Sequence, residues 1–444
     1  MPKKLIFVYA AAAVFIAAAA SAEEMATFPV LDGQVHEGVA SCASSNCHGS
    51  VKQYQNSRIL HNEYITWDRE DIHSEAYKKM FTKAFTDITD KLGMKAPHEE
   101  PVCLACHASD VPKKLRGTKF QMDDGIGCET CHGGSENWLA AHTDKDASHE
   151  TNLANGMYPS DDIVQRTRLC LSCHYGNDKQ FVTHEIMGAG HPRISFEMDT
   201  FSELQPPHFV QDEDYKQRKT AYSNVKVWAV GQAVAAASVL EMLHSTHMRP
   251  NKLFPELSMF DCHSCHHRMS DKSWTPRRST GLGPGVVPIN DSSLLMLRHV
   301  IVPMDASLAW RFRKILKEMH QASTTDYASL VEKIEQLQAM VDSLTGKIVQ
   351  HEFTAKDIQE ITLSLINDGV WGEYQDYVAA EQSVMAISAL TISWDKLVPF
   401  SDVRRENLKR EIDLLYNIVD KDEAYNQKRF SNALGKLREI ISGS

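Results

Sequence analysis

The chain has 444 residues, with 47 basic and 58 acidic side chains, and its formal net charge of −11 argues against a surface that holds nucleic acid. A surface of this sign steers a basic partner, or a basic patch on one, with a salt-dependent on-rate, and it also serves solubility. Ten cysteines exclude little by number alone, because disulfides, metal sites and covalent cofactors all stay open until the spacing is read.

At the start of the chain, Lys3-Lys4 precede the run LIFVYAAAAVFIAAAA, which is followed by Ala20-Ser21-Ala22 and Glu23-Glu24. This order reads as a secretory signal peptide over residues 1–22 with an A-x-A cleavage site. A retained anchor is the alternative, for which the run is short and alanine-rich. The expected location is the periplasm or the outside of the cell. Since no later segment approaches 18 uncharged apolar residues, the mature chain is expected to be soluble. Cleavage removes two lysines and no acids, so 45 bases against 58 acids leave −13.

The stretch SCASSNCHGS, residues 41–50, places Cys42, Cys47 and His48 in the order C-x4-C-H. Four later strings share its ending: CLACH (Cys103, Cys106, His107), CETCH (Cys128, Cys131, His132), CLSCH (Cys170, Cys173, His174) and CHSCH (Cys262, Cys265, His266). C-x-x-C-H is the attachment signature of c-type haem. Two thiols add across the two vinyl groups on one edge of the porphyrin, and the adjacent histidine turns back under the ring to bind iron. With histidine near 5% of the chain, chance would end all five pairs in histidine about once in some millions. The first motif takes the same reading if its longer spacer bulges out. A Cys42 to Cys47 disulfide or a zinc half-site are its alternatives, and the zinc site lacks a second ligand pair. Five haem c groups would use all ten cysteines.

Residues 23–273 are read as a pentahaem domain wrapped by short polar connections, in which porphyrin faces supply much of the core. One longer helix is expected over Val225 to His247, on Val227, Val230, Val234, Leu240 and Leu243. His244 and His247 at its end are read as ordinary histidines near the negative end of the helix dipole. Residues 274–291, WTPRRSTGLGPGVVPIND, read as a linker or an extended loop. From 292 to 444 the pattern is that of an α-helical bundle. Leu330, Ile334, Leu337, Val341, Leu344 and Ile348 form one stripe, and further segments span about 354–366, 373–395, 402–419 and 422–441. Thr354 and Ser401 stand as N-caps. The expected fold class is mainly α.

The strings GVASCASSNCHGS, EYITWDREDIHSEAY, PVCLACH, GIGCETCHGGSENWLAAH, RLCLSCHYG, HEIMGAGHPRISFE and FDCHSCHH resemble the multihaem cytochromes of the cytochrome c-554 type, over about residues 34–270. That resemblance implies an electron carrier between redox partners, a mostly helical fold and histidine as the sixth iron ligand. The chain departs from the pattern in its five motifs, its stretched first motif and its long helical C-terminal region. Of 21 histidines, 16 remain once five proximal ones are set aside. Position favours His36, His73, His142, His184, His191 and His267 as distal ligands, while His263 sits inside its own attachment loop. Two other readings compete with the carrier. A multihaem reductase acting on a small nitrogen or oxygen species would need one open-faced iron; the ending of every motif in histidine rather than lysine counts against it. A subunit of an extracellular cytochrome filament, or another homo-oligomer, would share the carrier's ligands.

Overall fold

The structure is a computed structural model that describes residues 28–55, 57, 59–247, 255–267 and 275–443. The expected leader at 1–22 lies outside the described residues. The fold is mainly α: 61% is helical, and no strand forms among the described residues.

Up to residue 222 the helices are short, and only Ile163–His174 is longer than ten residues. Eight longer helices follow. They are α1 (Asn224–His244), α2 (Ser292–Met304), α3 (Ala306–Ala322), α4 (Tyr327–Gln350), α5 (Ala355–Val370), α6 (Tyr377–Leu397), α7 (Asp402–Val419) and α8 (Gln427–Ser442). The six apolar residues of the α4 stripe are all buried, as their spacing requires of one helix face. Thr354 closes a capping box with Asp357 at the start of α5, and the Ser401 hydroxyl accepts the Arg404 N–H at the start of α7.

α1 buries 17 of its 21 residues, because it is apolar on every side. It is the one described helix long and apolar enough to cross a membrane, yet 78% of that apolar window is covered by protein. α4, α2 and α6 cover one part of it, and the helices Ile163–His174 and Met198–Leu204 cover another. Gly231 permits the last crossing, since a Cβ there would lie 2.6 Å from the Met198 Cβ. At its N-terminal end, buried Lys226 donates to the Val349 carbonyl at 2.6 Å and so closes the C-terminus of α4. α1 ends at His244, where Ser245 turns to an extended ψ of 138°, so His247 falls beyond the helix.

Residues 275–291 lie against the fifth motif. Phe260 and Ile289 form a bridge, and Asn290 N–H donates to the Met259 carbonyl at 2.8 Å. The same segment sends Arg277 into the bundle, where it donates to both oxygens of Asp291 at 2.6 and 2.7 Å. His320 meets Asp291 at 2.9 Å, and Arg298 pairs with Asp368 close by. Burial alone would raise the pKa of Asp291, but Arg277 and His320 outweigh it and hold this carboxyl well below the usual range.

Candidate haem sites

The three middle motifs each form a short helix that stops on the motif histidine: Pro101–His107, Cys128–His132 and Ile163–His174. In a helical turn, positions i, i+3 and i+4 share a face, so both thiols and the imidazole project to one side. The fifth motif is a single turn, closed by the His266 N–H donating to the Cys262 carbonyl at 2.8 Å and capped by the Asp261 carboxylate on the Ser264 N–H at 2.8 Å.

The first motif keeps that closing bond despite its longer spacer, as His48 N–H donates to the Cys42 carbonyl at 3.2 Å. The two extra residues are pushed outward by a tight turn in which Cys47 and Gly49 N–H both donate to the Ser44 carbonyl, at 2.8 and 2.9 Å. Only glycine fits at 49, where a Cβ would stand 1.9 Å from the Ala43 carbonyl oxygen. No disulfide joins Cys42 to Cys47. Among the described residues, no group of three or more histidine, cysteine and acidic side chains is placed to hold a metal ion in the manner of zinc.

A metal–imidazole bond is about 2 Å and the ring centre lies roughly 1 Å behind its nitrogen, so two imidazoles trans on one metal have centres roughly 6 Å apart. Every motif histidine has a partner at that separation. His48 faces His142 at 6.3 Å and His107 faces His191 at 6.4 Å. His132 faces His208 at 6.3 Å, while His174 faces His73 and His266 faces His184, both at 5.9 Å. Several of these rings are held through Nδ1, which leaves Nε2 for a metal. His48 Nδ1 lies 3.0 Å from Glu63, His73 Nδ1 2.7 Å from Asp71, His142 Nδ1 2.6 Å from the Leu139 carbonyl and His191 Nδ1 2.7 Å from the Pro192 carbonyl.

Burial pushes His107, His132 and His174 down to about 4, and it lowers His208 as well, so these rings are neutral with a lone pair to give. Burial also lifts the Cys131 thiol to about 12 and that of Cys170 to about 11. The motifs touch one another. The Cys42 and Cys128 thiols perturb one another, as do those of Cys106 and Cys173, and the Gln180 side-chain N–H reaches both the Cys106 and the Cys173 sulfur, at 3.4 and 3.8 Å. Glu129, inside the third motif and 5% exposed, accepts the backbone N–H groups of Glu37, Gly38 and Ser135 at 2.7 to 2.9 Å. That carboxylate ties the third motif to the strand of chain leading into the first. Paired thiols on one turn, a neutral imidazole beside them and a second one across a 6 Å gap are a donor set that fits haem c.

Four of the six histidines chosen from position, His73, His142, His184 and His191, thus stand against a motif histidine. The other two do not. His36 is 1% exposed, with its Nε2 bonded to the Pro29 carbonyl at 3.1 Å and 3.5 Å from Asp32, so the nitrogen a metal would need is taken. His267 lies beside His263, at 6.0 Å between ring centres. His244 is 3.6 Å from Glu335 and His247 is 3.4 Å from Asp178, and both are exposed. Sequence reasoning missed His208, whose signal was the rigid lead-in Pro206-Pro207. It also missed His61, a second imidazole 6.5 Å from His48 that takes φ +64° and bonds the Cys47 carbonyl through Nδ1 at 2.5 Å.

Residues 41–133, which hold the first three motifs, match the family of cytochrome c554 and c-prime. Over that segment the chain is similar to c-type cytochromes, and the similarity supports an electron carrier with covalently bound haem c. Nothing among curated proteins or solved structures matches the chain.

Proposed function

We propose that the chain is a pentahaem electron carrier in which each iron has two histidine ligands: His48 with His142, His107 with His191, His132 with His208, His174 with His73 and His266 with His184. The observation that carries this reading is the recurrence of one separation, 5.9 to 6.4 Å between ring centres, at all five motifs. When bound, the haems supply the one-electron iron couple. The protein's part is to hold both ligands fixed, so that the coordination does not change with oxidation state and small substrates find no open face. A ligand set closed on both sides supports carriage over the reductase reading.

The sites also support an order. The thiol contacts join site one to site three and site two to site four. Cys170 is among the neighbours that raise the Cys131 thiol, which supports nearness of sites three and four. The helix His184–Ala189 carries His184 at site five and leads directly into His191 at site two. The order one, three, four, two, five therefore makes a single file through the domain. A leader sequence and acidic surface support a location outside the cytoplasm and partners that dock through basic patches, as one copy or in an assembly.

Mass spectrometry of the denatured chain tests the count: five haem additions are expected, and four with a Cys42 to Cys47 disulfide would overturn the first site. Low-temperature EPR of the oxidised protein, with carbon monoxide added to the reduced form, tests the ligands. Almost wholly low-spin iron that binds little gas is expected, and one high-spin, gas-binding haem per chain would overturn the carrier in favour of the reductase.

A further inference from the structure

One face of the bundle carries a charge opposite to that of the chain. Between residues 276–281 and α3 runs a cleft of about 560 Å³, whose lining includes Arg277, Arg278, Trp310, Arg313, Lys314 and Lys317. Five cations on one cleft stand out in a chain of net charge −11. Two of them are answered from within the protein. Arg277 is paired with Asp291 beneath the cleft, and Lys314 lies 3.6 Å from Glu318. Arg278, Arg313 and Lys317 make no ion pair with a described residue. Arg277, 7% exposed, also keeps its Nε without a hydrogen-bond partner.

The rim is aromatic. Trp310 is 64% exposed and Trp371 61%, more than any other aromatic side chain described. Each is tied to the cleft by a cation, Lys314 lying 5.9 Å from the Trp310 ring centre and Arg278 5.9 Å from that of Trp371. Gly281, at φ +65°, brings the loop so close to Lys317 that a Cβ would stand 2.4 Å from its Cε. Exposed indoles interleaved with arginine and lysine are poorly accommodated by water alone. They suit the boundary of a lipid layer, where the ring sits among headgroups and the cation meets phosphate.

We propose that this cleft is a membrane-docking surface, with Arg278, Arg313 and Lys317 taking the phosphates of anionic phospholipids and Trp310 and Trp371 seated at headgroup level. The loop side of the cleft begins ten residues after His266, but the cleft is lined by none of the motif cysteines or histidines, and its role does not depend on the redox reading.

The test uses the full haem-loaded protein and vesicles of phosphatidylglycerol mixed with phosphatidylcholine, or of phosphatidylcholine alone. Co-sedimentation with the anionic vesicles is expected, weakening as salt rises, with a blue shift of tryptophan fluorescence. At about fivefold per cation, the Arg278→Ser, Arg313→Ser, Lys317→Ser triple variant should bind roughly a hundredfold more weakly. Trp310→Ser with Trp371→Ser should remove the blue shift. The haem spectrum and far-UV circular dichroism are expected to be unchanged in both variants, since the replaced side chains are at the surface. Equal binding to both vesicle types, or a triple variant that binds like the parent, would overturn the proposal. So would full displacement by micromolar pyrophosphate, which would indicate a site for a soluble anion. Retention on polyglutamate that ignores the tryptophan changes would indicate an acidic protein partner instead, with the same consequence.

Discussion

Asp71 is the carboxylate whose removal should be felt most directly at one iron. Its Oδ1 accepts the His73 ring Nδ1–H at 2.7 Å and the His73 backbone N–H at 3.0 Å, and its Oδ2 accepts from Gln205 at 3.1 Å. Burial opposes its charge, but these bonds outweigh burial and hold the carboxyl down at about 2, so it is an anion throughout the physiological range. Across the imidazole, this charge stands roughly 7 Å from a metal on Nε2, and at an effective dielectric constant near 20 it favours the oxidised iron by about 2 kcal/mol. For one electron that is roughly 100 mV. Asp71→Asn keeps an oxygen to orient His73 and deletes the charge. The site of His174 and His73 should therefore rise in potential by roughly 100 mV while the other four move far less. Potentiometric titration followed by EPR reads both quantities at once. If the low-spin signals are intact and no potential moves by more than about 20 mV, the pairing of His73 with that iron is refuted.

Other expectations follow from single side chains. His208→Ala should leave one haem attached but high-spin and able to bind carbon monoxide, whereas His36→Ala should leave every haem low-spin. Gly49→Ala forces the Ala43 carbonyl away from a contact of 1.9 Å, and the denatured chain should then show a population with four haems by mass. Leu337, fully buried on α4, should cost about 2–5 kcal/mol when cut to alanine, measured by guanidinium unfolding of the oxidised protein. The ring planes of His48 and His142 are 10° apart, while those of His73 with His174 and of His132 with His208 are 89° and 87° apart. Crossed planes leave the iron's two π-type orbitals nearly equal in energy and widen the spread of g values. The EPR spectrum should therefore contain both a rhombic signal and signals with one very large g value.

What was legible in the sequence is what local geometry dictates. C-x-x-C-H is one helical turn, and the chain forms that turn at residues 103, 128, 170 and 262 without help from distant segments. The stripe from Leu330 to Ile348 and the caps at Thr354 and Ser401 are equally local, and each is found where its spacing put it. The second ligand is different in kind. His73 meets His174, and His48 meets His142, across about a hundred residues of chain, so nothing in the immediate neighbourhood marks the partner. His36 looked suitable because it lies near the first motif, but nearness in sequence says nothing about which ring nitrogen is free, and a carbonyl occupies the relevant one. His208 follows two prolines, Pro206 and Pro207, and the rigidity they confer suits a fixed ligand, a signal that position relative to the motifs does not carry. The end of α1 was placed three residues late, since no proline or glycine stands there and Ser245 leaves the helix through its own backbone.

Because α1 is apolar all round and sandwiched between the segment of the fourth motif and α4, its history during synthesis is constrained. It leaves the ribosome about eighty residues before its chief cover, α4, begins to be made. Throughout that interval a helix greasy enough to be mistaken for a membrane span has cover only from Ile163–His174 and Met198–Leu204, and chaperone custody is the physical answer to the exposure that remains. A chain stopped short of α4 should therefore be cleared by proteases rather than accumulate.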